Sequence, residues 1–151
     1  MKKIIAVAIM SILFAVGIAG ANDWKKVRIG VEGAYPPFSK TTPDGKVEGF
    51  DIDIAHALGK AMGAEVTLVV QDWDGIIPAL MAKKYDAIIA SMSITEERKK
   101  KVAFSNKYYN TPAKFVAKKG TVKEFSKETL KGKTVGVQRA TTHDSYLTDN
   151  Y

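Results

Sequence analysis

Between Val27 and Ala90 the chain alternates between strand-like and helix-like segments, and this alternation constrains the fold more than any other feature. VRIGV (27–31) is rich in β-branched residues and alternates with period two, as a strand does. DIDIAHALGKAMG (51–63) sets Ile54, Leu58 and Ala61 on one helical stripe, with Asp51 a candidate N-cap and Gly63 placed to end the helix. AEVTLVV (64–70) predicts a second strand, and WDGIIPALMAK (73–83) a second helix whose Pro78 is tolerable only near the first turn. YDAIIA (85–90) predicts a third strand. A β-α-β-α-β order implies an α/β fold, a parallel sheet with helices packed on it. Ligands in such sheets sit beyond the carboxyl ends of the strands. The loops leaving those ends carry Glu32 and Tyr35, then Trp73, then Ser91, Ser93 and Arg98. All three open onto one edge.

The rest of the chain reads differently. Pro36-Pro37 marks a loop, and Pro43-Asp44-Gly45 a tight turn. After Lys101 the pattern predicts an extended segment at 113–117, a short helical turn in SKETLKGK and a strand at 134–138. A helix then starts in ATTHDSYL, with Thr141 or Thr142 as its cap. The pattern predicts a second lobe that begins here and is not finished at Tyr151.

The first residues are a separate matter. MKKIIAVAIMSILFAVGIAGA has two lysines, an apolar run from Ile4 to Ile18 and an Ala19-Gly20-Ala21 motif. This is the plan of a secretory signal cleaved after Ala21. The run falls short of the about 20 residues a membrane span needs, and the chain has no cysteine to carry a lipid. With 46% hydrophobic and 26% charged residues the remainder is globular rather than disordered. Zero cysteines exclude disulfides, thiol catalysis and cysteine-type zinc sites. The two histidines, His56 and His143, are too scattered to make a metal site. Loss of Lys2 and Lys3 with the signal lowers the formal charge from +7 to +5. The densest basic run, Arg98 to Lys101, has no interleaved aromatics and reads as a solvated helix face, not a nucleic-acid or anionic-lipid surface. There is no G-x-S-x-G, P-loop or dinucleotide fingerprint.

Arg98 offers a planar fork of donors that matches a carboxylate. Ser93 and Thr95 stand just before it at a helix start, where backbone N–H groups are unpaired. The plainer reading has Thr95 as an N-cap and Arg98 merely solvated, and the residues alone leave both open. Tyr35 and Trp73 could sandwich a ligand, or each could pack on its own loop. Glu32 suits a cationic group, although strand-end acids are commonly just solvated. Asp51 and Asp53, two apart at a helix start, do not face each other as a catalytic pair. Capping and dipole compensation account for them better. His56 lies one residue off the apolar stripe, and His143 stands beside Thr142 within reach of the cleft.

The segments VRIGVEGAYPPFS, VEGFDIDIAHALGKAMG, WDGIIPALMAKKYDAIIASMSITEERKKKVAFSNKYY and LKGKTVGVQRATTH together resemble the periplasmic polar-amino-acid-binding proteins of ABC importers. These are the bacterial extracellular solute-binding family 3, and the likeness is strongest to its lysine/arginine/ornithine- and histidine-binding branch. It covers Val27 to Tyr151. The resemblance implies a periplasmic-binding-protein-like II fold, two α/β lobes closing on a hinge. Residues 22–112 would form lobe 1 and residues 113–151 the start of an incomplete lobe 2, in a C-terminally truncated chain. It implies that Arg98 takes the ligand α-carboxylate two-point fashion, completed by the N–H groups of Ser93 and Thr142. The Ser91 carbonyl and Ser93 hydroxyl would accept from the α-ammonium. Tyr35 and Trp73 would cover the ligand side chain, and Glu32 would meet its charge.

The same resemblance implies a monomer in the periplasm with an inner-membrane ABC permease as partner, and no cofactor, metal, nucleic acid or catalysis. The ligand would be a cationic L-amino acid, that is arginine, lysine or ornithine. Ala90 replaces a serine common in this branch, His143 stands where glutamine is common, and Arg139 adds a positive charge nearby. Histidine, glutamine or an opine-type arginine conjugate therefore stay open, whereas Glu32 would repel an acidic amino acid. The alternative on the same scaffold is an exported cyclohexadienyl dehydratase acting on prephenate or arogenate. It would need a general acid or base beyond the binding set. A third reading is the sensory domain of a receptor or of a cell-wall lytic enzyme.

Overall fold

A computed structural model of the chain describes residues 24–110, 112–122 and 124–151. The expected secretory signal lies outside the described residues. The first strand, β1 (Lys26–Val31), is central to a parallel three-stranded sheet. It pairs on one side with β5 (Glu65–Val70), from Lys26 opposite Glu65 to Val31 opposite Val70, and on the other with β6 (Ala87–Ile88). The predicted parallel α/β order is therefore present, as β5-β1-β6. A central parallel strand is covered on both faces, which explains its nearly unbroken apolar run. Val27, Ile29 and Val31 are buried.

Between β1 and the first helix, β2 (Ala34–Tyr35), β3 (Ser39–Thr41) and β4 (Val47–Glu48) form a small antiparallel sheet. Its β3–β4 turn is the predicted Pro43-Asp44-Gly45 turn. Gly45 takes the left-handed φ of 81° and donates its N–H to the Thr42 carbonyl at 2.9 Å.

Helix α1 (Phe50–Met62) ends at Gly63 in the left-handed conformation, as predicted. Two expectations about it are corrected. Its N-cap is Gly49, so Asp51 sits inside the first turn, where it complements the helix dipole but does not cap. Its buried face is Asp51, Ile52, Ala55 and Gly59, whereas Leu58 is 48% exposed and Ala61 is also exposed. The cause is close approach to β5: a Cβ at Gly59 would lie 2.2 Å from Val66 Cγ2. The helix presses its small residues, not its leucine, against the sheet.

The second helical segment begins as a 3₁₀ turn (Trp73–Gly75) and continues as α2 (Ile76–Met81), with Pro78 in the first turn of the α-helix. Strand β6 is shorter than the predicted 85–90. Tyr85 turns its ring inward under Gly30, where a Cβ would come within 2.5 Å of the ring, and its hydroxyl donates to the Ile76 carbonyl. The ladder nevertheless continues, through Asp86 N–H to the Arg28 carbonyl (2.9 Å) and Ile89 N–H to the Gly30 carbonyl (3.0 Å). The core has two parts, one around Val27, Ile29, Val31, Ile52 and Ala55, the other around Ile76, Ala79, Tyr85 and Ala90.

Helix α3 (Glu96–Lys99) follows β6, and α4 (Lys127–Leu130) and α5 (Thr142–Asn150) lie further on. The short helical turn and the Thr141 cap are as predicted: the Thr141 hydroxyl accepts from the Asp144 N–H. The predicted strands at 113–117 and 134–138 do not form among the described residues. Val116 is 92% exposed, and Val135 and Val137 are also exposed. Local β-propensity gives no ladder where no neighbouring strand lies alongside. Phe115 instead stacks on Phe125 with ring centroids 4.9 Å apart.

Candidate functional site

The site is built where β1 and β6 end. The loop after β6 leads into α3, whose N-cap is Thr95; its hydroxyl accepts from the Arg98 N–H at 3.2 Å. The cap engages only the backbone of Arg98, so capping and a role for the guanidinium are compatible. That guanidinium does not lie in solvent with its neighbours. Nη1 donates to the Ser93 carbonyl (2.9 Å), Nη2 to the Ala140 carbonyl (3.3 Å), and Cζ stands 5.3 Å from the centroid of the Trp73 ring. Burial lowers its pKa, partly countered by Glu97, but an arginine stays charged. The basic run is thus solvated only in part. Lys99 pairs with Glu96 at 2.8 Å and Lys100 and Lys101 are exposed, while Arg98 is half-buried.

The Trp73 indole N–H also donates to the Ala140 carbonyl, at 3.0 Å. Ala140 adopts a left-handed φ of 61° and donates its own N–H to Asp144 at 2.9 Å. A residue with a Cβ holds that conformation only where its surroundings impose it, at a cost of about 1–3 kcal/mol. Trp73, Arg98 and Ala140, with Asp74, Ile77 and Met92, line a cavity of 260 Å³.

A second group lies behind the same loop. Ser91 takes a left-handed φ of 53°. Its hydroxyl donates to Asp51 Oδ2 (2.7 Å), and its N–H donates to the Tyr108 hydroxyl (3.1 Å). The Tyr108 hydroxyl in turn donates to Asp51 Oδ1 (2.9 Å). Asp51 is 1% exposed. Burial raises its pKa, and the two hydrogen bonds partly offset that rise. The Tyr108 phenol is pushed up by burial and by the charge of Asp51. Among the described residues the Ser91 carbonyl accepts no hydrogen bond and the Ser93 N–H donates none. Ser91, Ser93 and Tyr108 line a groove of 670 Å³ alongside β6.

The remaining sequence-predicted residues are placed as follows. Glu32 is not a solvated strand-end acid: it is 7% exposed and accepts a hydrogen bond from the Gln138 side-chain amide. Tyr35 and Trp73 are not brought face to face. Tyr35 stacks on Phe38 (5.2 Å), which stacks on Tyr109 (4.9 Å), while Trp73 lies under Arg98. Thr142 is the first residue of α5, and His143 and His56 are exposed. Sequence reasoning missed four participants, Asp51, Tyr108, Gln138 and Ala140. Each contacts residues at least 40 positions away, beyond any local pattern. Arg139, noted only as a nearby charge, pairs with the Asp74 carboxylate. Among the described residues no group of three or more His, Asp or Glu is arranged to hold a metal, and no helix is long and apolar enough to cross a membrane.

This architecture is that of the two-lobed solute-binding proteins, of which the described residues cover part. The chain belongs to the bacterial extracellular solute-binding proteins, family 3, matched over residues 27–143. It is 56% identical over 122 residues to the L-arginine-binding protein of Pseudomonas aeruginosa, an alignment covering 81% of this chain and 47% of that protein. A solved structure described as an ancestral arginine-binding protein bound to glutamine is 46% identical, with a TM-score of 0.77 over 83% of this chain and 56% of that one. The arginine-bound form of domain 1 from TmArgBP is 42% identical, with a TM-score of 0.54 over 56% of this chain and 68% of that one. The chain spans about half the length of the curated relatives it matches.

Proposed function

We propose that the protein is the periplasmic solute-binding component of an ABC importer, capturing a cationic L-amino acid and delivering it to an inner-membrane permease. Arginine, lysine and ornithine are its ligands, with histidine a further candidate. The observation that carries this reading is Arg98, a guanidinium tethered by the Ser93 carbonyl, stacked on Trp73 and adjoining a Ser93 N–H that has no partner among the described residues. A ligand α-carboxylate would take over the long Nη2 contact now made to Ala140 and add the N–H groups of Ser93 and Thr142. The open Ser91 carbonyl and the Ser93 hydroxyl would accept from the α-ammonium.

Selectivity for a cation rests on Glu32. Its carboxylate is buried and, among the described residues, accepts from the neutral amide of Gln138, so a ligand guanidinium or ammonium replaces a neutral donor by a charged one. The cation adds Coulomb attraction to a hydrogen bond at a carboxylate that burial shields from water. Trp73 and Tyr35 cover the ligand stem from different sides. Residues 22–112 act as one lobe and 113–151 belong to the second. Contacts from both, Arg98 on one and Thr142 on the other, favour the closed state over the open one. The protein acts as a monomer, and binding is not followed by a chemical step.

Equilibrium dialysis against L-arginine, L-lysine, L-histidine and L-glutamate tests this directly. Retention of the basic amino acids without glutamate supports the assignment. Preferential retention of glutamate, or turnover of prephenate by the same preparation, would overturn it.

A further inference from the structure

A buried carboxylate that the ligand contacts do not use stands one hydrogen bond behind the binding loop. Asp51 is 1% exposed, and its oxygens accept from Ser91 Oγ at 2.7 Å and Tyr108 Oη at 2.9 Å. No cation pairs with it: the ion pairs of the described residues go to Glu65, Asp86, Glu48, Asp44, Glu96 and Asp74. A carboxylate shielded from water and lacking a counter-ion is costly unless something else justifies it.

Its two partners show what it does. Both belong to the loop and the segment following it. Ser91 is bound twice, by its hydroxyl to Asp51 and by its N–H to the Tyr108 hydroxyl, which Asp51 itself holds. This closed triangle imposes the left-handed φ of 53° on a residue that is not glycine. With its N–H and hydroxyl both spent inward, Ser91 keeps one polar group without a partner among the described residues, its carbonyl. An acceptor backed by a negative charge that no cation of the described residues pairs with is a place for a cation.

We infer that Asp51 is a positioning residue for the ligand α-ammonium: with Tyr108 it locks Ser91 so that its carbonyl faces outward, and its charge supports the ammonium through that carbonyl. The inference rests on the proposed amino-acid-binding reading and adds to it a residue that touches no ligand. Tyr108 extends the lock to the chain leaving the first lobe, so the loop is held from two sides.

The test compares L-arginine with 5-guanidinopentanoate, the same molecule without its α-amino group, by calorimetric titration of the full chain. Asp51→Asn keeps the size and an acceptor oxygen but removes the charge. It is expected to weaken L-arginine by about tenfold or more while moving the des-amino compound by less than about threefold. The preference for the amino group then collapses. Tyr108→Phe keeps the charge and breaks the triangle, with a smaller loss in the same direction; it also decides the matter if Asp51→Asn does not fold. Equal losses for both compounds would make Asp51 merely structural and overturn the inference, as would no loss for either. Failure of the unaltered chain to bind L-arginine would instead overturn the binding assignment itself.

Discussion

Substitution of Arg98 by alanine separates a ligand-binding arginine from a structural one. The helix cap survives, because the Thr95 hydroxyl accepts from the backbone N–H of residue 98. What disappears is two hydrogen bonds to carbonyls, at 2.9 and 3.3 Å, and a ring contact at 5.3 Å. Both hydrogen bonds lie in exposed surroundings, where each contributes the low end of about 0.5–1.5 kcal/mol. The ring contact adds about 0.5–1 kcal/mol. Release of a half-buried charge from its desolvation works in the opposite direction. The fold should therefore lose only about 1 kcal/mol, or about 2–4 °C in Tm for a chain of about 150 residues.

Binding should respond on another scale. Two charge-assisted hydrogen bonds to a carboxylate are worth about 1.5–3 kcal/mol each, so Kd for L-arginine should rise by about 10²- to 10⁴-fold. Arg98→Lys keeps the charge but not the fork, and should fall between. Titration calorimetry for Kd and urea unfolding of the ligand-free chain read the two effects independently. A Kd within threefold of the original would refute the assignment of Arg98. So would an affinity loss that a matching loss of stability fully explains.

Three further outcomes follow from the same structure. Glu32→Gln should weaken arginine and lysine by about ten- to a hundredfold and leave glutamine within about threefold, measured by competition; unchanged arginine affinity would contradict the account of cation selectivity. Gly30→Ala drives a Cβ to within 2.5 Å of the buried Tyr85 ring and should destabilise by about 1–3 kcal/mol in urea. Asp86 accepts from the Arg28 N–H and side chain (2.8 and 2.7 Å), and its pKa is lowered chiefly by those hydrogen bonds. Its contribution to stability is therefore present above the unfolded carboxylate pKa and is lost as pH falls through the depressed folded value. Asp86→Asn should flatten that acid limb of the stability profile, and an unaltered limb would remove Asp86 as its source.

Much of this was legible in sequence because it is local. The three parallel strands follow from β-branched runs separated by helical spacing. Gly63, Thr95 and Thr141 end or start their helices as their side-chain chemistry dictates. Arg98 was legible as a candidate because its helix start is. The failures have physical causes. On α1 both Ile54-Leu58-Ala61 and Ile52-Ala55-Gly59 have helical spacing, and an apolar count favours the first. Close approach to Val66 selects the second, and only the packed sheet reveals it. Asp51 looked like a cap because it lies at a helix start, and its true partners are 40 and 57 residues away. Residues 134–138 have the composition of a strand, but a ladder is a property of two segments, not one. Glu32 and Gln138, 106 residues apart, meet for reasons that only the folded chain supplies.

The central claim is that this half-cleft is folded and recognises a cationic amino acid. Thermal unfolding of the chain with and without saturating L-arginine, with L-glutamate as control, tests it most directly. A ligand that binds only the folded state, at a hundredfold excess over its Kd, stabilises by about 2.7 kcal/mol. The account predicts a cooperative transition that moves upward with arginine and stays in place with glutamate. A cooperative transition that moves with neither, or with glutamate alone, would contradict it.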